Sequence, residues 1–230
     1  KIWYTRFNQL KESEDIKMDI LETMKARHSV RQYKNQAIES SKREKINALI
    51  KDVNAESKLS IQVFYDEPKC FDSFMAHYGK FENVKNYIAI VGNKNDQEKA
   101  GYYGEKIVLK CQKLGLNTCW VAMTHGKSKS QIKRGQKLLI IISLGYGETQ
   151  GVPHKSKSIA ELGQADQKTE WFEKGMEAVS LAPTAVNQQK FYFELKNGIV
   201  TAKNLGGFYS RIDLGIVKYH FEAVTGHEVK

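Results

Sequence analysis

Four short segments carry side chains whose types and spacing could do chemistry. In Arg27-His28-Ser29-Val30-Arg31, the residues Arg27, Ser29 and Arg31 alternate, and on an extended backbone all three point to one side. Two guanidiniums and a hydroxyl on one face suit a phosphate, because each guanidinium offers a fixed fork of donors. The same cluster would also suit a solvated basic turn. Lys155-Ser156-Lys157 again sets two cations two residues apart, after Gly145-Tyr146-Gly147, and reads as a second phosphate contact or as an exposed loop. In the run Leu181 to Asn187, followed by Gln188 and Gln189, Pro183 stops a helix. The small residues after it, Thr184 and Ala185, let a ligand approach the backbone. Asn187 can donate and accept at once, as the amide-like edge of a heterocycle requires. An ordinary helix-to-strand connection has the same composition. The fourth segment, Leu114 to Ala122, leads through Thr118 and Cys119 into Trp120 and Val121. No His/Asn or His/Asp set accompanies Cys119, so a buried, inert thiol is expected there rather than a nucleophile.

These segments need elements to hold them. Residues 18–26 read as a short helix ahead of the Arg27 cluster. Ser40 and Ser41 precede Ile46, Leu49, Ile50 and Val53, one helical face behind a serine N-cap. Leu59 to Tyr65 and Tyr87 to Val91 read as strands. Asp96 opens a helix through Ala100, Tyr103, Ile107, Cys111 and Leu114, closed by Gly115. Lys137 to Tyr146 reads as a central buried strand, and Thr169 to Ser180 as a helix burying Trp171, Phe172, Met176 and Val179. Asn197-Gly198 joins two strands in a hairpin, and Ile212 to Val224 forms the last helix, capped by Gly226.

Composition narrows the class. The chain has 230 residues with 36 Lys and Arg against 26 Asp and Glu, a formal charge of +10 that suits an anionic partner as well as a Lys-rich soluble surface. No apolar run approaches the roughly 18 residues of a membrane span. The three cysteines are too few and too scattered for a disulfide framework or a zinc site, so a reducing cytoplasm is the expected setting. Residues 1–17 show no signal-peptide plan and read as an N-terminal extension or expression remnant, with one domain over 18–230. Lys127, Lys129, Lys133, Arg134 and Lys137 form a basic run without interleaved aromatics, so nucleic acid is not the expected partner.

Gly104 to Gly115 and Gly215 to Gly226 share one eleven-residue glycine spacing, each with apolar residues at helical intervals. The helix-then-strand pairs 45–65 and 170–195 also look alike. This suggests two related halves, although any amphipathic helix can end in glycine.

Taken together, RHSVR at 27–31, GEKIVLKCQKLGLNTCW at 104–120, GYG with VPHKSKS at 145–158, and LAPTAVNQQ at 181–189 resemble the FMN-dependent nitroreductase family over nearly the whole chain from Met18. The last motif usually comes early in that family. Its late position here is similar to a subgroup in which one chain carries two family-like halves. Lys190-Phe191 stand where the family usually has Pro-Trp, lysines stand in the clamp where Arg is common, and Ala185 lacks a serine hydroxyl.

The resemblance implies an α/β (α+β) three-layer fold, a mixed, mainly antiparallel sheet between helices with two pseudo-symmetric halves. It implies FMN as cofactor, NADH or NADPH as donor, and ping-pong reduction of a small nitroaromatic or quinone. Arg27, Ser29, Lys155 and Lys157 would surround the phosphate, with His28 between them and Arg31 near the pyrimidine edge of the ring. Thr118, Cys119, Trp120 and Val121 would face the ring, and Pro183, Thr184, Ala185 and Asn187 would line ring and ribityl chain. The stretch His77-Tyr78-Gly79-Lys80 would border the pocket. No catalytic side chain or metal is implied, since the cofactor carries the hard step. The flavin site is expected within one chain, with a homodimer possible for other reasons. A flavin-binding protein without turnover, for storage or sensing, would share every one of these ligands.

Overall fold

Periodicity and turn chemistry place most elements where the sequence puts them. The computed structural model describes residues 19–230, so the extension read over 1–17 lies outside the described residues. Helix α1 (Ile20–Ala26) buries Leu21 and Met24 and ends in the extended backbone of Arg27. Helix α2 (Ser40–Ser57) buries Ile46, Ile50 and Val53, the expected face. Its N-cap is Glu39, not a serine; Ser40 and Ser41 lie inside the first turn, and no side chain caps it.

Strand β1 (Ser60–Phe64) leads through the short helix α3 (Phe74–Tyr78) to β2 (Asn86–Gly92). Then follow α4 (Gln97–Lys113), β3 (Asn117–Val121) and β4 (Lys137–Gly145). These four strands form one antiparallel sheet in the order β1-β2-β4-β3. The inner strands β2 and β4 are covered on both faces over most of their length, so Ile88 to Val91 and Leu138 to Ile142 are continuous apolar runs, whereas an exposed face would impose alternation.

The remainder comprises α5 (Ile159–Leu162), β5 (Gly163–Ala165), α6 (Glu170–Ser180), β6 (Phe191–Lys196), β7 (Ile199–Asn204) and α7 (Ser210–Thr225). Strand β6 pairs parallel with β5 and antiparallel with β7 in a second, three-stranded sheet. At the β6–β7 hairpin, Asn197 (φ 52) and Gly198 (φ 74) both take the left-handed conformation such a tight turn demands.

The chain is therefore α+β and mainly antiparallel, with its strands divided between two sheets. Helix, strand, strand, helix occurs twice in order, as α2-β1-β2-α4 and as α6-β6-β7-α7, with α3 inside the first. Helices α4 and α7 pack directly on each other in the middle of the molecule. Among the described residues no helix is long and apolar enough to cross a membrane, and no cluster of His, Cys, Asp or Glu could hold a metal ion.

A two-chambered cleft as the candidate active site

The Arg27 cluster is extended, as its alternation predicts, and runs beside β3. Ser29 bridges Thr118 in parallel, and the Val30 amide donates to the Thr118 carbonyl at 3.1 Å. The buried Tyr33 hydroxyl anchors this segment, donating to the Val30 carbonyl at 2.7 Å and lying 2.7 Å from Ser143 Oγ.

The loop 183–189 faces the cluster and is held by α7. Asp213 accepts from the Ala185 amide at 3.0 Å and from Gln188 Nε2 at 2.7 Å. The same loop is stitched to residues 155–157: Asn187 Nδ2 and Gln189 Nε2 each donate to the Lys155 carbonyl at 2.9 Å, and the Lys157 amide donates to Gln189 Oε1 at 2.8 Å. Val186 (φ 46), Asn187 (φ 53) and Gln189 (φ 45) all sit in the left-handed region, where a β-branched valine is a true outlier.

Two adjoining chambers lie between these walls. The smaller, about 260 Å³, is lined by Arg27, His28, Ser29, Arg31, Val152, His154, Pro183, Thr184, Val186 and Asn187. The larger, about 510 Å³, shares Ser29, Arg31, Pro183, Thr184 and Val186 and adds Cys119, Trp120, Ala185, Ile140, Ile216 and Asp213, with Tyr78, Lys80, Met123 and Phe208 also on its wall. All of these residues come from one chain.

Arg27 is the decisive side chain of the smaller chamber. It is 3% exposed, yet its Nε and Nη1 have no hydrogen-bond partner. A buried guanidinium left so is expensive unless an anion meets it. Burial first, and then the Arg27 charge, hold both His28 and His154 below the usual histidine range.

Trp120 walls the larger chamber. It lies against Gly104 of α4, where a Cβ would come within 2.4 Å of the indole, and its Nε1 donates to Glu105 at 3.0 Å. Burial pushes the Cys119 thiol up, so it stays protonated and is no nucleophile. Burial likewise pushes Asp213 up to about 6, against its bonds from Gln188 and Ala185.

Of the residues singled out in the sequence, Arg27, His28, Ser29, Arg31, Cys119, Trp120, Pro183, Thr184, Ala185 and Asn187 line one chamber or the other. Thr118 and Val121 are buried and do not line them; Thr118 instead pins Ser29 and Val30. Lys155 and Lys157 also stand outside the lining, and the Lys157 ammonium donates to the Gln189 carbonyl at 3.1 Å. From that segment it is His154 that reaches the smaller chamber. Tyr78, Gly79 and Lys80 border the larger chamber, while His77 lies at a separate hollow with Phe71 and Phe81. Asp213, Val186 and Phe208 escaped the sequence reading. An isolated acid between Ile212 and Leu214 on an otherwise apolar helix face was the available signal for Asp213.

A family model described as "Putative TM nitroreductase" matches residues 19–225. A "putative nitroreductase" from Thermotoga maritima MSB8 superposes with a TM-score of 0.65 at 24% identity, covering 90% of this chain and 83% of that one, a likeness of fold. A "putative nitroreductase" from Desulfovibrio desulfuricans, solved in complex with FMN, gives 0.49 at 15% identity, covering 62% and 93%. An FMN-dependent nitroreductase from Clostridium difficile R20291 gives 0.45 at 22% identity, covering 61% and 92%. No curated protein matches the sequence.

Proposed function

The chain belongs to the nitroreductase family, and on that footing we propose that it is an FMN-dependent oxidoreductase acting on small nitroaromatics or quinones with NADH or NADPH as donor. The observation that carries the reading is Arg27, a buried guanidinium with two nitrogens that lack a hydrogen bond, lining a small polar chamber that opens beside a larger apolar one. That division suits a ligand with an anionic end and a flat, mostly apolar body. Arg27 would hold the phosphate, with Ser29 and His28 as further donors, while His154 donates to the Ser180 carbonyl. Arg31, exposed and shared by both chambers, would set a positive charge beside the ring system and favour negative charge there.

Trp120, Ile140, Pro183 and Ile216 would supply apolar walls that keep water from the ring. Asp213 would act through the loop: by binding the Ala185 amide and Gln188, it fixes Pro183 to Asn187 over the cleft. FMN, when bound, supplies hydride acceptance and electron transfer to the second substrate, in a ping-pong sequence. The site is read as formed within one chain, because residues 27–31 and 183–187 of that chain line the same chambers. Three buried free cysteines accord with a cytoplasmic setting.

The test is an anaerobic titration of the flavin-loaded chain with each nicotinamide nucleotide, followed by a nitroaromatic or a quinone. The flavin band should bleach and then return, and steady-state plots should be parallel. If neither nucleotide bleaches it, flavin storage or sensing replaces the enzymatic reading.

A further inference from the structure

A buried polar network lies behind the cleft. Glu105 in α4 and His220 in α7 are both 0% exposed. Glu105 Oε2 accepts from Trp120 Nε1 at 3.0 Å, and Oε1 lies 3.0 Å from His220 Nε2 and 3.9 Å from Arg27 Nε. His220 Nδ1 faces the Ala178 carbonyl at 2.8 Å. A carbonyl oxygen only accepts, so Nδ1 carries a hydrogen. Burial raises the Glu105 carboxyl, but the His220 contact and the Arg27 charge together hold it below its usual range. A carboxylate therefore faces Arg27 Nε at 3.9 Å, beyond hydrogen-bond reach.

We propose that His220 is a positioning residue for anion binding: by engaging Glu105 Oε1, it draws that carboxylate away from Arg27. Each carboxylate oxygen already has one partner, the Trp120 indole on Oε2 and the imidazole on Oε1, and these fix the direction in which the carboxylate points. The guanidinium therefore stands close to Glu105 without a hydrogen bond to it: Nε and Nη1 are buried and unbonded, and the residue still lines the smaller chamber. Without the imidazole, a buried carboxylate would be left half-satisfied beside a cation 3.9 Å away. Such a pair closes, because a lone buried charge is far costlier than a paired one. Arg27 would then turn inward.

This inference rests on the smaller chamber being the phosphate site, and the experiment separates the two. Dissociation constants for FMN and for riboflavin are measured by fluorescence quenching on the full-length flavin-free chain. The variants are His220→Phe, Glu105→Gln and the double variant. His220→Phe should lower the preference for FMN over riboflavin by at least about tenfold. The double variant, which lacks the competing carboxylate, should restore that preference to within about threefold of wild type, as should Glu105→Gln alone. General damage to the fold would weaken both flavins equally and would not be repaired by a second buried substitution.

An unchanged preference in a folded His220→Phe, or no recovery in the double variant, overturns the proposal. If His220→Phe does not fold, Glu105→Gln decides, and a tenfold or greater loss of the preference there overturns it (about 1.4 kcal/mol). A wild type that binds both flavins equally defeats the phosphate reading and this inference with it.

Discussion

Gly101 of α4 and Gly215 of α7 hold reciprocal places where the two helices cross. A Cβ on Gly101 would lie 2.0 Å from the Ile212 carbonyl oxygen, and a Cβ on Gly215 would lie 1.9 Å from the Glu98 carbonyl oxygen. The next neighbours match too, the Ile216 amide nitrogen at 3.0 Å and the Tyr102 amide nitrogen at 2.7 Å. The eleven-residue spacing in the sequence aligns Gly104 with Gly215. The crossing aligns Gly101 with Gly215, one helical turn earlier, and Gly104 is used to seat Trp120.

Gly215→Ala puts a methyl group into backbone, which cannot rotate away as a side chain can. The helices must separate. We expect a loss at or beyond the top of the roughly 1–3 kcal/mol range for overpacking, read by equilibrium urea unfolding. Flavin binding should weaken as well, because α7 carries Asp213 and Ile216 on the larger chamber. A change under about 1 kcal/mol would mean that the crossing slides at little cost.

Val186 offers the opposite experiment. It is 85% exposed and held at φ 46, ψ 28. Glycine relieves that strain and forfeits little burial, so Val186→Gly should stabilise the chain by about 1 kcal/mol. Thermal unfolding reads this directly. A lower melting temperature would show that the side chain packs against the cleft more than its exposure suggests.

Asp213 predicts a pH dependence. Its folded value of about 6 lies above the unfolded value of about 3.9. Between the two, the folded chain keeps a proton that the unfolded chain has released. The contribution is thus complete below about pH 4 and is lost as pH rises through about 6. The two-unit gap bounds it at about 3 kcal/mol. Relative to Asp213→Asn, wild type should therefore lose ~1–3 kcal/mol of unfolding free energy between pH 4 and pH 7. A wild-type-minus-variant difference that does not move with pH would contradict this.

What the sequence disclosed follows from where local rules decide the outcome. The alternation of Arg27, Ser29 and Arg31 announced an extended segment, and Pro183 announced a break; both line the cleft. Helices α2, α4, α6 and α7 were legible because each buries one continuous stripe. Strand β3, β5 and the short helices α3 and α5 were not. Their form depends on pairing and packing with distant segments, as in the Ser29–Thr118 bridge. His154 and the two lysines lie within four residues of one another, and only tertiary placement separates the one that reaches the chamber. Glu105 and His220 lie far apart in sequence, and each passes for an ordinary surface residue until α4 and α7 cross.

The central claim is that the Arg27 guanidinium waits for the phosphate of FMN. It is tested most directly by measuring the dissociation constants of FMN and riboflavin for wild type and for Arg27→Ala. Wild type should prefer FMN by about a hundredfold or more, as two charge-assisted hydrogen bonds imply. Arg27→Ala should lose most of that preference while keeping its affinity for riboflavin. Equal binding of the two flavins by wild type, or an Arg27→Ala chain that retains the preference, would contradict the account.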